Sequence, residues 1–179
     1  GNIVLGLHSG KTIVWSYSTK KFYAYDMEAD HSDVLLRAVL NIFIDRNDTG
    51  WVATDVGLRQ FDIKRKVYCG SFPILPAQKG KGIAVQGIEQ LNDSLLIIGT
   101  AYAGLYTFNL RSHTYSRPSG VDNLKEISVY AIKRDSTGQV WFTTNFNLCR
   151  MNQDFTHVTE YNLNQSGISA AFGNNRFYI

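Results

Sequence analysis

The stretch GLHSGKT, residues 6–12, sets Gly, Lys and Thr in the order used by a phosphate-binding loop. Such a loop needs four residues between its glycines and a helix opening directly after the Lys, so that backbone N–H groups face the phosphate. Here three residues separate Gly6 from Gly10, and the following IVWSYS reads as strand. DRNDTG, from Asp45, imitates the start of a calcium loop. Its twelfth position is Val56, which offers no oxygen, and its third and fifth are Asn47 and Thr49. His8, His31, His113 and His157 have no metal-ligand spacing, and neither a GxSxG elbow nor paired carboxylates accompany them. Cys69 and Cys149 lack CxxC spacing and are read as two partly buried free thiols. No catalytic residue, metal ligand or cofactor site is expected, and the chain reads as a non-enzyme.

The composition supports a packed domain: 44% of the 179 residues are hydrophobic and 18% charged. Ten Tyr, ten Phe and three Trp, with 15 Gly and only 3 Pro, favour β structure with many tight turns over helix. A net charge of +3 is too small to indicate a nucleic-acid partner, and Lys64, Arg65 and Lys66 read as a solvated turn. No apolar run reaches the roughly 18–20 residues of a membrane span. The chain opens GNIVLGL, with no Met and no basic-then-apolar leader, which predicts a processed or excised piece.

The positions of the apolar runs carry more information. GWVATDVGLRQFD (50–62), LLIIGTAYAGLYTFN (95–109) and QVWFTTNFNLCRMN (139–152) superimpose with Thr54, Thr100 and Thr144 aligned, at spacings of 46 and 44 residues. An earlier copy places Gly6 opposite Ala53, Gly99 and Thr143. Short apolar segments precede three of these runs, at 36–45, 83–91 and 127–135. Each unit reads as four short strands: a VxxI segment, an Asp/Asn/Gly turn, the run containing Trp or an aliphatic residue, a third strand after a GL step, and a fourth with an aromatic end such as Tyr68, Tyr115, or Phe155 and later Tyr161. The runs are about four to seven residues long and rich in β-branched and aromatic side chains. Four strands in about 40–50 residues is the size of one propeller blade.

The turns DRNDTG and RDSTG join first to second strands, where Asn, Asp and Gly supply positive backbone angles. Trp51 and Trp141 are expected to fill the wedge between neighbouring sheets. Gly57 and Gly104 turn the chain into the third strand, and Asn147 is expected to adopt the same left-handed geometry.

These residues resemble the two-component regulator propeller repeat, roughly VxxIxxDxxGxhWhgTxxGLxxhd. The best copy has Val39, Ile42, Asp45, Gly50, Trp51, Thr54, Gly57, Leu58 and Asp62. The third copy lacks the Trp and the fourth lacks the GL glycine. The expected fold is all-β: a propeller segment of about four blades of four-stranded antiparallel sheet. A partial blade is expected at 1–26, blades at 36–68, 83–115 and 127–161, and the start of another at 168–179. Seven blades at this period would need roughly 315 residues, so the segment is expected to be part of a larger, seven-bladed propeller, a closed four-bladed ring being the alternative.

The resemblance implies the periplasmic sensor region of a hybrid two-component histidine kinase from glycan-degrading bacteria, anchored through its parent protein, with an oligosaccharide ligand. The remaining blades of the parent chain are expected partners, as is self-association through open edges; neither nucleic acid nor direct membrane contact is expected. Propellers carry working residues on loops at one mouth. Tyr102 and Phe146 occupy matching loop places, and with Asn145 they form the candidate ligand-binding set, since a sugar ring offers an apolar C–H face beside hydroxyls needing partners. The alternatives are a propeller enzyme, such as a lyase or quinone-dependent dehydrogenase, and a protein-interaction scaffold.

Overall fold

A computed structural model describes residues 2–27, 38–74, 82–152 and 154–162. The expected start of a further blade at 168–179, His31 and the first residues of the 36–45 segment lie outside the described residues. Two compact units, Gly1–Val85 and Gln86–Ile179, divide the chain.

In the first unit, β1 (Asn2–Gly6), β2 (Lys11–Ser16) and β3 (Lys21–Asp26) form a three-stranded antiparallel sheet. The second sheet follows in chain order: β4 (Val39–Ile44), β5 (Thr49–Thr54), β6 (Gly57–Asp62) and β7 (Val67–Pro73). Val14, Val39, Val52 and Phe61 pack between these two sheets, with Val4, Tyr25, Ile42 and Tyr68 around them. The hydroxyls of Thr12 and Tyr68 share a short hydrogen bond within that contact.

The next sheet is β8 (Val85–Asn92), β9 (Leu95–Thr100), β10 (Leu105–Asn109) and β11 (Thr114–Ser116). The last is β12 (Val129–Arg134), β13 (Val140–Thr144), β14 (Asn147–Met151) and β15 (Val158–Asn162), preceded by one 3₁₀ turn, Asp122–Leu124. Ile97, Leu105, Leu124, Val129, Ile132, Val140, Phe142, Cys149 and Met151 form the core of the second unit. The fold is a β-propeller segment: four antiparallel sheets, each strand bonded to its successor in sequence.

Apolar sequence explains why β5 and β9 are buried along nearly their whole length. A sheet covered on both faces loses polar alternation. The column Gly6, Ala53, Gly99, Thr143 has a packing reason at two of its places. A methyl at Gly99 would lie 2.6 Å from the Val129 carbonyl oxygen and 2.7 Å from Val129 Cγ1. A methyl at Gly6 would collide with Val39 Cγ1. In each unit, then, a glycine, Gly6 at the end of β1 or Gly99 in β9, admits the VxxI valine of the next sheet.

The Asp turns work differently from a simple supply of positive angles. Asp45 Oδ1 accepts the backbone N–H of Asn47 and of Thr49, both at 2.9 Å, and its Oδ2 accepts Trp51 Nε1–H at 2.9 Å. Asp135 repeats this: Oδ1 accepts Thr137 N–H (2.9 Å), Thr137 Oγ1–H (2.6 Å) and Gln139 N–H (3.0 Å), while Oδ2 accepts Trp141 Nε1–H at 2.7 Å. Asp48 (φ 60) and Gly138 (φ 87) take the left-handed place, whereas Gly50 lies inside β5 with its Cα toward Phe61. The sheet without a Trp, with Ile97 in its place, has Leu91 six residues earlier instead of Asp. Trp and Asp therefore come as a bonded pair. Each indole also meets an aromatic on the fourth strand of its own sheet: Trp51 meets Phe72 at 5.9 Å, and Trp141 stacks on Tyr161 at 5.8 Å.

Three local expectations are corrected. Asn147 is not among the residues with positive φ; its two-residue turn closes without one. Phe155 lies in the turn before β15, at φ 62, and not in a strand. Cys69 is exposed and Cys149 buried, rather than both being partly buried.

A candidate ligand-binding strip on the second unit

The aligned threonines hold the loops. Thr100 Oγ1 donates to Gly104 O (2.7 Å), Thr54 Oγ1 to Gly57 O (2.9 Å) and Thr144 Oγ1 to Asn147 O (3.3 Å). Thr54 Oγ1 and Thr144 Oγ1 also accept the N–H of Val56 and Phe146, each at 3.3 Å. Each threonine is nearly inaccessible to solvent, so the base of the loop is fixed while its tip projects. Between β9 and β10 the tip is Tyr102, 76% exposed and at φ 58; between β13 and β14 it is Phe146, 65% exposed. Asn145, beside Phe146, is half-buried.

Both loops stand at the same end of the unit. Tyr102 N–H donates to Ser128 Oγ (3.1 Å), and Gly104 N–H to Ile127 O (2.9 Å). Ser128 directly precedes Val129, which pairs with Thr144 at the foot of the Phe146 turn. Gly104 has φ 72, and a side chain there would collide with the Leu124 carbonyl oxygen, so the Tyr102 loop lies directly against the 3₁₀ turn. That strain-free approach of backbone to backbone is available only to glycine.

The 3₁₀ turn adds polar groups that sequence reasoning did not select. Asn123 Nδ2 donates to Glu160 Oε1 (3.1 Å), and Asn147 Nδ2 donates to Glu160 Oε2 (2.6 Å). Asn147 Oδ1 is buried and has no hydrogen-bond partner among the described residues. The three residues are separated by 13 and 24 positions or more in sequence, so no local pattern marks them. A carboxylate braced by two amides, one of them on the residue that follows Phe146, can exchange hydrogen bonds with hydroxyls, and an exposed phenyl ring can accept an apolar face. Arg117, whose guanidinium lies 4.4 Å from the Tyr106 ring, donates to Ala103 O (3.0 Å) and braces the Tyr102 loop from the other side.

Nothing in this strip is arranged as a nucleophile with its base. Burial first, and the Glu160 charge second, push the Cys149 thiol up to about 12. Among the described residues no three His, Cys, Asp or Glu side chains are grouped to hold a metal ion, and no helix is long and apolar enough to cross a membrane.

The sequence matches no family model and no curated protein. Solved structures do match in fold. The extracellular domain assigned to the hybrid two-component system BT4673 of B. thetaiotaomicron superimposes at a TM-score of 0.74 with 15% identity, over 97% of this chain. The chain and that ectodomain share a fold. The corresponding domain of BT3049 from the same organism gives 0.66 with 20% identity over 90% of the chain. PorZ, a surface component of the type-IX secretion system of Porphyromonas gingivalis, gives 0.66 with 14% identity over 94%. The chain spans 22% of the length of each of the two sensor ectodomains and 27% of PorZ.

Proposed function

We propose that the chain is part of the extracytoplasmic sensing region of a hybrid two-component histidine kinase, located in the periplasm, and that it does no chemistry itself. The observation that carries this reading is the fold shared with two sensor ectodomains over at least 90% of the chain. Fold alone does not fix function, so the ligand class rests on the strip. Tyr102 and Phe146 project aromatic faces from loops with anchored bases, and Asn145, Asn147, Asn123 and Glu160 supply amide and carboxylate groups beside them. This combination suits an oligosaccharide. In the parent protein, binding would be relayed through the remaining blades by rigid-body movement.

The test is calorimetry of the intact ectodomain against oligosaccharides selected on a glycan array. Each of Tyr102→Ala and Phe146→Ala is expected to weaken binding about tenfold, as befits roughly 1–1.5 kcal/mol of ring contact. Unchanged affinity in both variants would remove the strip from the reading. The likeness to PorZ favours one second reading, a cell-surface assembly module. An ectodomain that binds no glycan but retains a protein partner would select it.

A further inference from the structure

Arg59 lies within β6, opposite Val52 on β5 and Ser71 on β7. Cross-strand partners share a face of the sheet, and so do residues two apart along a strand. Val52 and Phe61 belong to the apolar contact between the first two sheets, so Arg59 projects from that same face. The polar groups there include the Thr12 and Tyr68 hydroxyls, which are bonded to each other. Burial pushes the Tyr68 phenol up, while its bond to Thr12, and then the Arg59 charge, draw it down. Arg59 itself is 7% exposed, and its Nε and Nη2 are buried with no hydrogen-bond partner among the described residues. Three carboxylates of the unit are engaged elsewhere: Asp26 with Lys11 at 2.9 Å, Asp45 with its turn and Trp51, and Asp62 with the N–H groups of Lys64 and Arg65. Arginines of the second unit differ: Arg117 donates to Ala103 O and Tyr106 Oη, and Arg134 Nη1 donates to Leu91 O.

A buried guanidinium is costly unless an anion or acceptor meets it. Nε–H and Nη2–H point the same way along one edge of the planar group, the edge that takes two oxygens of a single partner at once. We infer that the Nε–Nη2 edge of Arg59 is a binding site for the carboxylate of a small anion. A carboxylate brings two coplanar oxygens that match the fork, and one negative charge that cancels the one positive charge of Arg59. A sulfate dianion would leave a net negative charge against Val52 and Phe61, where desolvation penalises it. With so little of Arg59 exposed, the carboxylate must be carried on a slim aliphatic stem. The site belongs to the first unit and shares no residue with the Tyr102 and Phe146 strip.

The probe is sodium acetate, titrated at neutral pH into the 179-residue chain by calorimetry, with urea unfolding compared in acetate and in chloride at equal ionic strength. Saturable acetate binding and a higher urea midpoint in acetate are expected. Arg59→Met should abolish both, while matching or exceeding the parent's stability in chloride. Arg59→Lys keeps the charge without the fork, and should bind acetate at least tenfold more weakly. Tyr102→Ala should leave acetate binding unchanged, so that failure of the glycan strip and failure of this site are told apart. An acetate response that persists in Arg59→Met overturns the inference, as does sulfate binding tighter than acetate. So does a loss of stability on Arg59→Met in chloride, which would show that the chain itself supplies the guanidinium with a partner. Absence of acetate binding by a chain with a folded β circular-dichroism spectrum overturns it as well.

Discussion

Removing the Asp45 carboxylate should destabilise the second sheet far more than its counterpart in the last sheet. In Asp45→Ala, Trp51 Nε1–H loses its acceptor where the indole is only 2% exposed. Leaving such a donor unsatisfied costs about 1–3 kcal/mol, and loss of two charge-assisted bonds to backbone N–H groups that can regain water adds about 1 kcal/mol. The expected loss is therefore roughly 2–4 kcal/mol. Asp45→Asn should fall in between, because the amide oxygen still serves Asn47 and Thr49 while its NH₂ faces the indole N–H, donor against donor. Asp135→Ala should cost distinctly less, since Trp141 is only half-buried and water can replace the carboxylate. Urea unfolding followed by far-ultraviolet circular dichroism gives the stabilities, and hydrogen exchange at Asn47, Thr49 and Gln139 assigns each loss to its own turn. Trp51→Phe completes a double-mutant cycle, with coupling to Asp45→Ala of about 1 kcal/mol or more. Strict additivity, or an Asp45→Ala variant within about 0.5 kcal/mol of the parent, refutes the pairing argument.

Three further outcomes are expected. Gly99→Ala should lower stability by about 1–3 kcal/mol through overpacking against Val129, where an unobstructed strand glycine would gain from the same change; a neutral or stabilising result in urea unfolding contradicts the close approach. The hydrogen bond from Thr137, then that from Trp141, hold the Asp135 carboxyl down at about 2 against an ordinary 3.8. Between those values the unfolded chain binds more protons than the folded one, so this contribution is intact above about pH 4 and fades as pH falls toward 2; Asp135→Asn should flatten that part of an acid-unfolding profile, and an unchanged profile refutes it. Arg59 is 7% exposed, with Nε and Nη2 buried and without hydrogen-bond partners among the described residues; Arg59→Met should leave stability equal or higher in urea unfolding, and a loss above about 1 kcal/mol would mean the guanidinium has a partner.

The architecture was legible because the packing rule repeats. Strands covered on both faces must be apolar, and the Thr, Trp and small-residue columns recur at one period, so aligning Thr54, Thr100 and Thr144 aligned the sheets. Local geometry was less legible where an unexpected residue takes the left-handed place. Lys66 and His113 have φ of 57 and 56 in the turns between third and fourth strands, with no glycine to announce them. Those turns are held from the side: Asp62 Oδ1 accepts from Lys64 and Arg65 N–H, and Asn109 Oδ1 accepts from Arg111 and Ser112 N–H. An Asp or Asn closing the third strand was the signal available. The aromatic loop residues could be selected by position within the repeat. Glu160 could not, because its partners Asn123 and Asn147 reach it through tertiary packing.

The same contrast separates what the repeat conserves within this chain from what it leaves free. Thr54, Thr100 and Thr144 make the same side-chain bond to the carbonyl that opens the third strand. The loops they close are not the same: Asp55–Val56 and Asn145–Phe146 are two residues long, while residues 101–104 make a loop of four. A hydroxyl that ties strand end to strand start fixes the exit and entry of the chain without specifying what lies between, so loop length and chemistry can vary while the sheet is undisturbed. The longest of the three is also the one whose tip, Tyr102, is bonded to the segment leading into the next sheet. A ligand seated on Tyr102 would therefore bear on the Ser128–Val129 step and on β12, and not merely on its own loop. Coupling of that kind needs two arrangements of the contact that the ligand favours unequally. The Tyr102–Ser128 bond is one such contact: it joins the backbone N–H of the residue carrying an exposed ring to the side chain just before β12, and loop displacement can break it without unpairing β9.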